Sequence, residues 1–224
     1  MAKPTSPGKC RLCGEGFEKS QVTKHLQKCR MSQPRTGKPL RLFHLLVEGT
    51  DLPEYWLQLH VDAGAKLSDL DEFLRDIWLE CCGHMSAFTI GGQRYSVQPM
   101  ADFDEKSMRA KLADVLSLKT KCTYEYDFGT TTELTLRVVS EWEGPLKTRP
   151  VELLARNTPP AFACESCEAP ATQVCVECLW DNAGFACDKC APDHECGEDM
   201  LLPVVNSPRM GQCGYDGESD KWGP

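Results

Sequence analysis

The sequence lacks any run of eighteen or more apolar residues, so no segment reads as a membrane-spanning helix. Its first residues, MAKPTSPGKC, are basic and polar without an apolar core, so the expectation is no secretory signal and a cytoplasmic location. P-loop, G-x-S-x-G, H-E-x-x-H and dinucleotide-binding fingerprints are missing, so none of those chemistries is announced. Acidic residues are scarce in residues 1–41, where ten Lys/Arg face only Glu15 and Glu18. Cysteine is scarce in residues 40–155, which hold Cys81, Cys82 and Cys122 of the fourteen in the chain.

Those scarcities divide the 224 residues into three regions. Residues 1–33 are basic and cysteine-rich, and 34–39, PRTGKP, read as a linker broken by two prolines and a glycine. Residues 40–155 carry clear hydrophobic patterning. Residues 156–163, RNTPPAFA, form a second linker, and 164–224 are cysteine-rich and acidic. The net charge of −8 is therefore +8 in the first 41 residues and −16 in the rest. A basic arm on an acidic body fits either attraction to phosphate or a solvated tail held by the protein's own acids. In a reducing compartment the cysteines are read as metal ligands before disulfides.

Near the N-terminus Cys10, Cys13, His25 and Cys29 stand at C-x2-C-x11-H-x3-C. The x2 interval turns two thiolates onto one ion. His25 and Cys29 lie one helical turn apart and share a face, and the set suits closed tetrahedral zinc. Phe17 and Val22 are the expected apolar plug, with Ser20 as the helix N-cap. The segment resembles a single C2HC finger of the ββα type, with one residue fewer between the second and third ligands than the usual twelve. Lys24, Lys28 and Arg30 give its helix a basic face, which suggests nucleic-acid contact; a purely structural or protein-docking finger is the other reading.

From Cys164 the spacing is C-x2-C-x7-C-x2-C-x8-C-x2-C-x3-H-x-C, made by Cys164, Cys167, Cys175, Cys178, Cys187, Cys190, His194 and Cys196. Eight donors fit two tetrahedral ions, which makes about three zinc ions per chain with the finger. The stretches CESCEAPATQVCVEC and CDKCAPDH resemble B-box-type modules. That resemblance implies a cross-brace, with Cys164, Cys167, Cys187 and Cys190 on one ion and Cys175, Cys178, His194 and Cys196 on the other, and a protein-binding role. Sequential pairing is the alternative, and Cys213 could stand in for Cys196.

In the central region Leu40–Val47 and Tyr55–Val61 read as a hairpin, and Leu67, Leu70, Phe73, Leu74 and Ile77 as one face of a helix capped by Ser68. Ala87–Ile90 and Tyr95–Val97 flank the Gly91–Gly92 turn, and Met108 to Leu116 suggest a short helix. Lys121–Phe128 and Glu133–Trp142 pair across Gly129–Thr132, with Tyr124, Tyr126 and Phe128 on one face. The expected fold class is α+β, a mainly antiparallel sheet with helices on one face, flanked by two small zinc-stabilised modules.

The stretches LFHLLVEGTDLPEYWLQLHVDAGAKLSDLDEFLRDIW, HMSAFTIGGQRYSV and YEYDFGTTTELTLRVV resemble the Ri-plasmid ORF-three-like family, also labelled an insertion-element TnpR-like passenger group. The resemblance covers about residues 40–145 and implies a compact α+β domain and a mobile-element association. Relatives follow the Phe-Gly step with Asp, Trp and His, where this chain has Thr130, Thr132 and Leu134, so any role carried by those positions is absent here.

Function is expected to be that of a zinc-binding adaptor, with nucleic acid at the N-terminal finger, protein at the C-terminal module and no membrane. The alternatives are a metal-stabilised enzyme with a site near His84 and Asp127, and a redox sensor using Cys81, Cys82, Cys122 and Cys213. Adjacent cysteines on a helix point about 100° apart, so Cys81 and Cys82 are not expected to share an ion.

Overall fold

Apolar alternation in the central region builds most of a ten-stranded sheet in a computed structural model that describes residues 6–32, 36–146 and 150–218. Lys3, residues 33–35 around the expected first linker and residues 219–224 of the expected acidic tail lie outside the described residues. The chain divides into two units, one of Met1–Leu74 with His84–Thr158, the other of Arg75–Gly83 with Pro159–Pro224.

The first unit contains β1 (Gly8–Cys10), β2 (Gly16–Phe17), α1 (Lys19–Met31), β3 (Leu40–Gly49), β4 (Trp56–Asp62), α2 (Leu67–Leu74), β5 (Ser86–Ile90), β6 (Gln93–Ser96), β7 (Lys106–Ser107), α3 (Leu112–Val115), β8 (Lys121–Tyr126), β9 (Thr132–Gly144) and β10 (Val151–Asn157). The strand order is β2-β1-β10-β4-β3-β9-β8-β5-β6-β7, antiparallel except for β6 with β7. The unit is mostly sheet with few helices. β3 and β4 are nearly continuously buried, as strands covered on both faces are. β8 and β9 instead alternate, burying Cys122, Tyr124 and Tyr126 opposite Leu136, Leu134 and Thr132.

Several local expectations are corrected. Phe128 does not continue the face of Tyr124 and Tyr126. Asp127 adopts φ +64° and ends the strand, and Phe128 turns outward beneath the Arg94 guanidinium, 4.6 Å from its ring centre. The helix from Leu67 is not capped by Ser68; Asp69 Oδ2 accepts the Lys66 N–H at 2.7 Å. It stops as an α-helix at Leu74 and passes into a π-turn, Arg75–Leu79, which belongs to the other unit. Likewise α1 begins at Lys19 after Glu18, with no side-chain cap.

Arg156 and Asn157, expected to open the second linker, are instead the end of the strand β10, whose apolar run is short. This strand sits between β1 and β4 and pairs antiparallel with both. The N-terminal hairpin thereby continues the central sheet, with Gly8 opposite Asn157 and Cys10 opposite Ala155. Cys10, Val22, Leu26 and Cys29 share one core with Leu46, Trp56, Leu154 and Ala155. The expected boundary between 1–33 and 40–155 therefore does not separate two bodies. A thirty-residue finger has little apolar surface of its own to bury, and here it uses the sheet's.

The second unit contains β11 (Gln173–Cys175), β12 (Phe185–Ala186) and β13 (Leu201–Pro203), in the order β12-β11-β13, with short 3-10 turns between them. Its segment VVNSPRMGQCGYDG is turn-rich yet packed, with Ser207, Arg209 and Tyr215 buried. Ser207 Oγ donates to the Trp78 carbonyl at 2.6 Å, fixing this segment against the π-turn.

Candidate metal centres

Among the described residues four groups of cysteine and histidine could hold metal ions, each with its donor atoms within 4.8 Å of one another. The first joins Cys10 at the end of β1, Cys13 in the turn before β2, and His25 and Cys29 on α1. The Gly14 N–H bonds the Cys10 carbonyl at 2.8 Å and closes the turn that brings the two thiols together. Phe17 stacks on the His25 ring at 3.8 Å and orients it. Two further groups lie in the second unit: Cys164, Cys167, Cys187 and Cys190, and Cys175, Cys178, His194 and Cys196. Their grouping is crossed along the chain rather than sequential. Cys196 lies 3.7 Å from Cys178, while Cys213 is placed elsewhere, with Cys82.

The separations discriminate between chemistries. A disulfide requires sulfurs about 2 Å apart. Zinc–sulfur bonds of about 2.3 Å at the tetrahedral angle put two thiolates about 3.8 Å apart, and a thiolate and an imidazole nitrogen about 3.5 Å apart. The observed sulfur pairs are Cys10–Cys29 at 3.9 Å, Cys167–Cys187 at 3.6 Å, Cys167–Cys190 at 3.7 Å and Cys178–Cys196 at 3.7 Å. The sulfur–nitrogen pairs are Cys13–His25 at 3.4 Å and Cys178–His194 at 3.6 Å. A donor set of thiols and imidazoles without carboxylates fits zinc.

Crowding the thiols separates their acidities. The Cys187 backbone hydrogen bond, against the opposing effect of burial, pulls Cys164 down to about 6. Burial, then the charge of Cys10, pushes Cys29 up to about 12. The hydrogen bond with Cys167 does the same to Cys190, again to about 12. In the Cys164 group backbone hydrogen bonds lower Cys164 and Cys187 while Cys167 and Cys190 are raised, so the latter two keep their protons until a cation replaces them.

Of the residues expected to meet nucleic acid, Lys24 and Lys28 are exposed on α1. Arg30 is not available and is corrected: it is 6 % exposed, donating to Glu152 Oε2 and to the Pro145 carbonyl, each at 3.4 Å. It follows Cys29 on the buried side of the helix, where the sheet supplies an acid. His84 Nε2 lies 3.5 Å from Asp127 Oδ2, while Asp127 Oδ1 accepts the Gly129 N–H at 3.0 Å and closes the turn. A cavity lined by Leu45, Leu70, Phe88, Cys122 and Leu136 has a volume of about 10 Å³, room for one water at most. Among the described residues no helix is long and apolar enough to cross a membrane.

Sheet and clusters together define a mostly antiparallel sheet protein that carries cysteine–histidine groups of metal-binding geometry. The chain belongs to the plasmid pRiA4b ORF-3-like protein family, whose model matches residues 43–181. That match runs from within β3 through β10 to Cys164, Cys167, Cys175 and Cys178, and it leaves Cys10, Cys13, His25 and Cys29 outside. A solved structure of a protein of unknown function from Methanosarcina mazei Go1 is similar over 54 % of this chain and 70 % of that chain, with 18 % identity and a TM-score of 0.47. No curated protein matches.

Proposed function

We propose that the protein is a zinc-binding adaptor. The donor separations carry this reading: in three groups that the spacing already singles out, sulfurs and imidazole nitrogens stand at the edge lengths of a zinc tetrahedron. Native mass spectrometry of freshly reduced protein tests it. At least three zinc ions per chain are expected, and two or fewer would overturn the reading.

The adaptor role has two contact faces. On the first unit Lys9, Arg11, Lys24 and Lys28 are exposed beside the N-terminal group and present positive charge to a polyanion. On the second unit Trp180 is 72 % exposed within the 3-10 turn Cys178–Asp181, two residues after the donor Cys178. An exposed tryptophan on a metal-fixed turn is a rigid anchor for a protein partner. Salt-dependent binding to a DNA or RNA duplex tests the first face; binding without a salt slope would remove it.

A further inference from the structure

We infer that Cys81, Cys82 and Cys213, all of the second unit, hold a fourth zinc ion, which ties the C-terminal segment to the π-turn. This goes beyond the three centres proposed above and does not depend on their being filled.

Cys82 Sγ stands 3.7 Å from Cys81 Sγ and 3.7 Å from Cys213 Sγ, although Cys213 is 131 residues away. Both separations match a zinc tetrahedron edge of about 3.8 Å and exceed the disulfide length by nearly twofold. The objection to adjacent cysteines applies on a helix, and here the helical segment ends at Leu79. Cys81 and Cys82 follow it in a bend, where the 100° rule has no hold.

All three donors belong to the second unit. Charge also balances. Three thiolates and one Zn²⁺ leave one negative charge, and Arg209, fully buried, donates from Nη2 to Cys81 Sγ at 3.6 Å. A buried guanidinium aimed at a sulfur is costly beside a neutral thiol and favourable beside a thiolate.

A sequence feature shared with the other groups points the same way. Cys13, Cys82, Cys196 and Cys213 are each followed by a glycine with positive φ: Gly14, Gly83, Gly197 and Gly214. Two of these Cys-Gly steps lie in the centres already described, and the other two are both in this one. With this site included, every cysteine except Cys122 falls into a metal-binding group.

Native mass spectrometry on the full-length, freshly reduced chain tests the site by difference. Cys213→Ser and, separately, Cys81→Ser are each expected to carry one zinc ion fewer than the wild type while keeping the other ions, whose retention shows that the variants fold. Equal zinc in the wild type and both variants would overturn the fourth site. A low total in the wild type would speak against the other three centres, and the difference on substitution would still decide this one. As a second measurement, cobalt substitution is expected to lose the absorbance of one sulfur-ligated ion in each variant. Unchanged spectra would overturn the proposal.

Discussion

The Trp56 ring lies against the backbone of Gly8, so closely that a methyl group at Gly8 would overlap it, and Trp56 Nε1 donates to the Ser6 carbonyl at 2.9 Å. This seam holds β1 at its register on β10. Gly8→Ala is therefore expected to lower stability by about 1–3 kcal/mol, as overpacking of a filled core does. Urea midpoints of zinc-loaded protein check this, and an unchanged midpoint would show that the hairpin is not held there.

The first metal group shares its core with the sheet, so its loss should be felt across the first unit. Cys10 is fully buried among Val22, Leu26, Trp56 and Leu154. Cys10→Ser is expected to cost more than about 2 kcal/mol, the scale on which loss of a structural metal is felt. Hydrogen exchange of β10 and β4 is the readout. If only residues before 33 lose protection, the finger is energetically separate.

His44 gives the first unit a pH dependence. It is 1 % exposed, with Nε2 bonded to Gln58 Oε1 at 2.6 Å. Burial pushes its pKa from 6.5 down to about 4; the Gln58 hydrogen bond opposes this and the Arg30 charge adds to it. The unfolded chain takes up a proton below about pH 6.5 that the native state refuses until about pH 4. Stability is therefore full above the unfolded value and falls as pH drops through this window, by roughly 3 kcal/mol in all. Between pH 7 and 5 the wild type is expected to lose about 2 kcal/mol more than His44→Asn. Parallel losses in the two proteins would assign the acid sensitivity elsewhere, zinc release included.

Arg30 and the exposed lysines should separate in their effects. Arg30→Ala removes the buried guanidinium that meets Glu152 and the Pro145 carbonyl and is expected to cost about 2 kcal/mol without changing the salt slope of nucleic-acid binding. Lys24→Glu with Lys28→Glu is expected to leave the urea midpoint nearly unchanged. The slope of log affinity against log salt should fall by about 2. A stability loss in the lysine pair, or a slope change with Arg30, would reverse these assignments.

Cys122 should be the inert thiol. It is 7 % exposed on β8, and burial alone pushes its pKa up to about 12. Alkylation of the native zinc-loaded protein, mapped by peptide, is expected to leave Cys122 unmodified until the chain is unfolded. Modification before any metal-group cysteine would mean that the first unit opens locally at β8.

How much was legible follows from how local each signal is. The spacing of Cys10, Cys13, His25 and Cys29 is a local geometric code, because a two-residue knuckle and one helical turn fix their own directions. Alternation in β8 and β9 is equally local, since a strand's two faces repeat every second residue. From these the sequence by itself determined the sheet-forming centre and twelve grouped donor residues. It did not determine that β10 receives β1, because strand partners are chosen by burial across more than a hundred residues. It did not determine that Arg30 meets Glu152, because the acid sits on a strand brought alongside by that same pairing. Nor did it place Cys213 beside Cys82. Nothing in the local pattern of either residue encodes a separation of 131 positions, and only the packing of the C-terminal segment on the π-turn closes it.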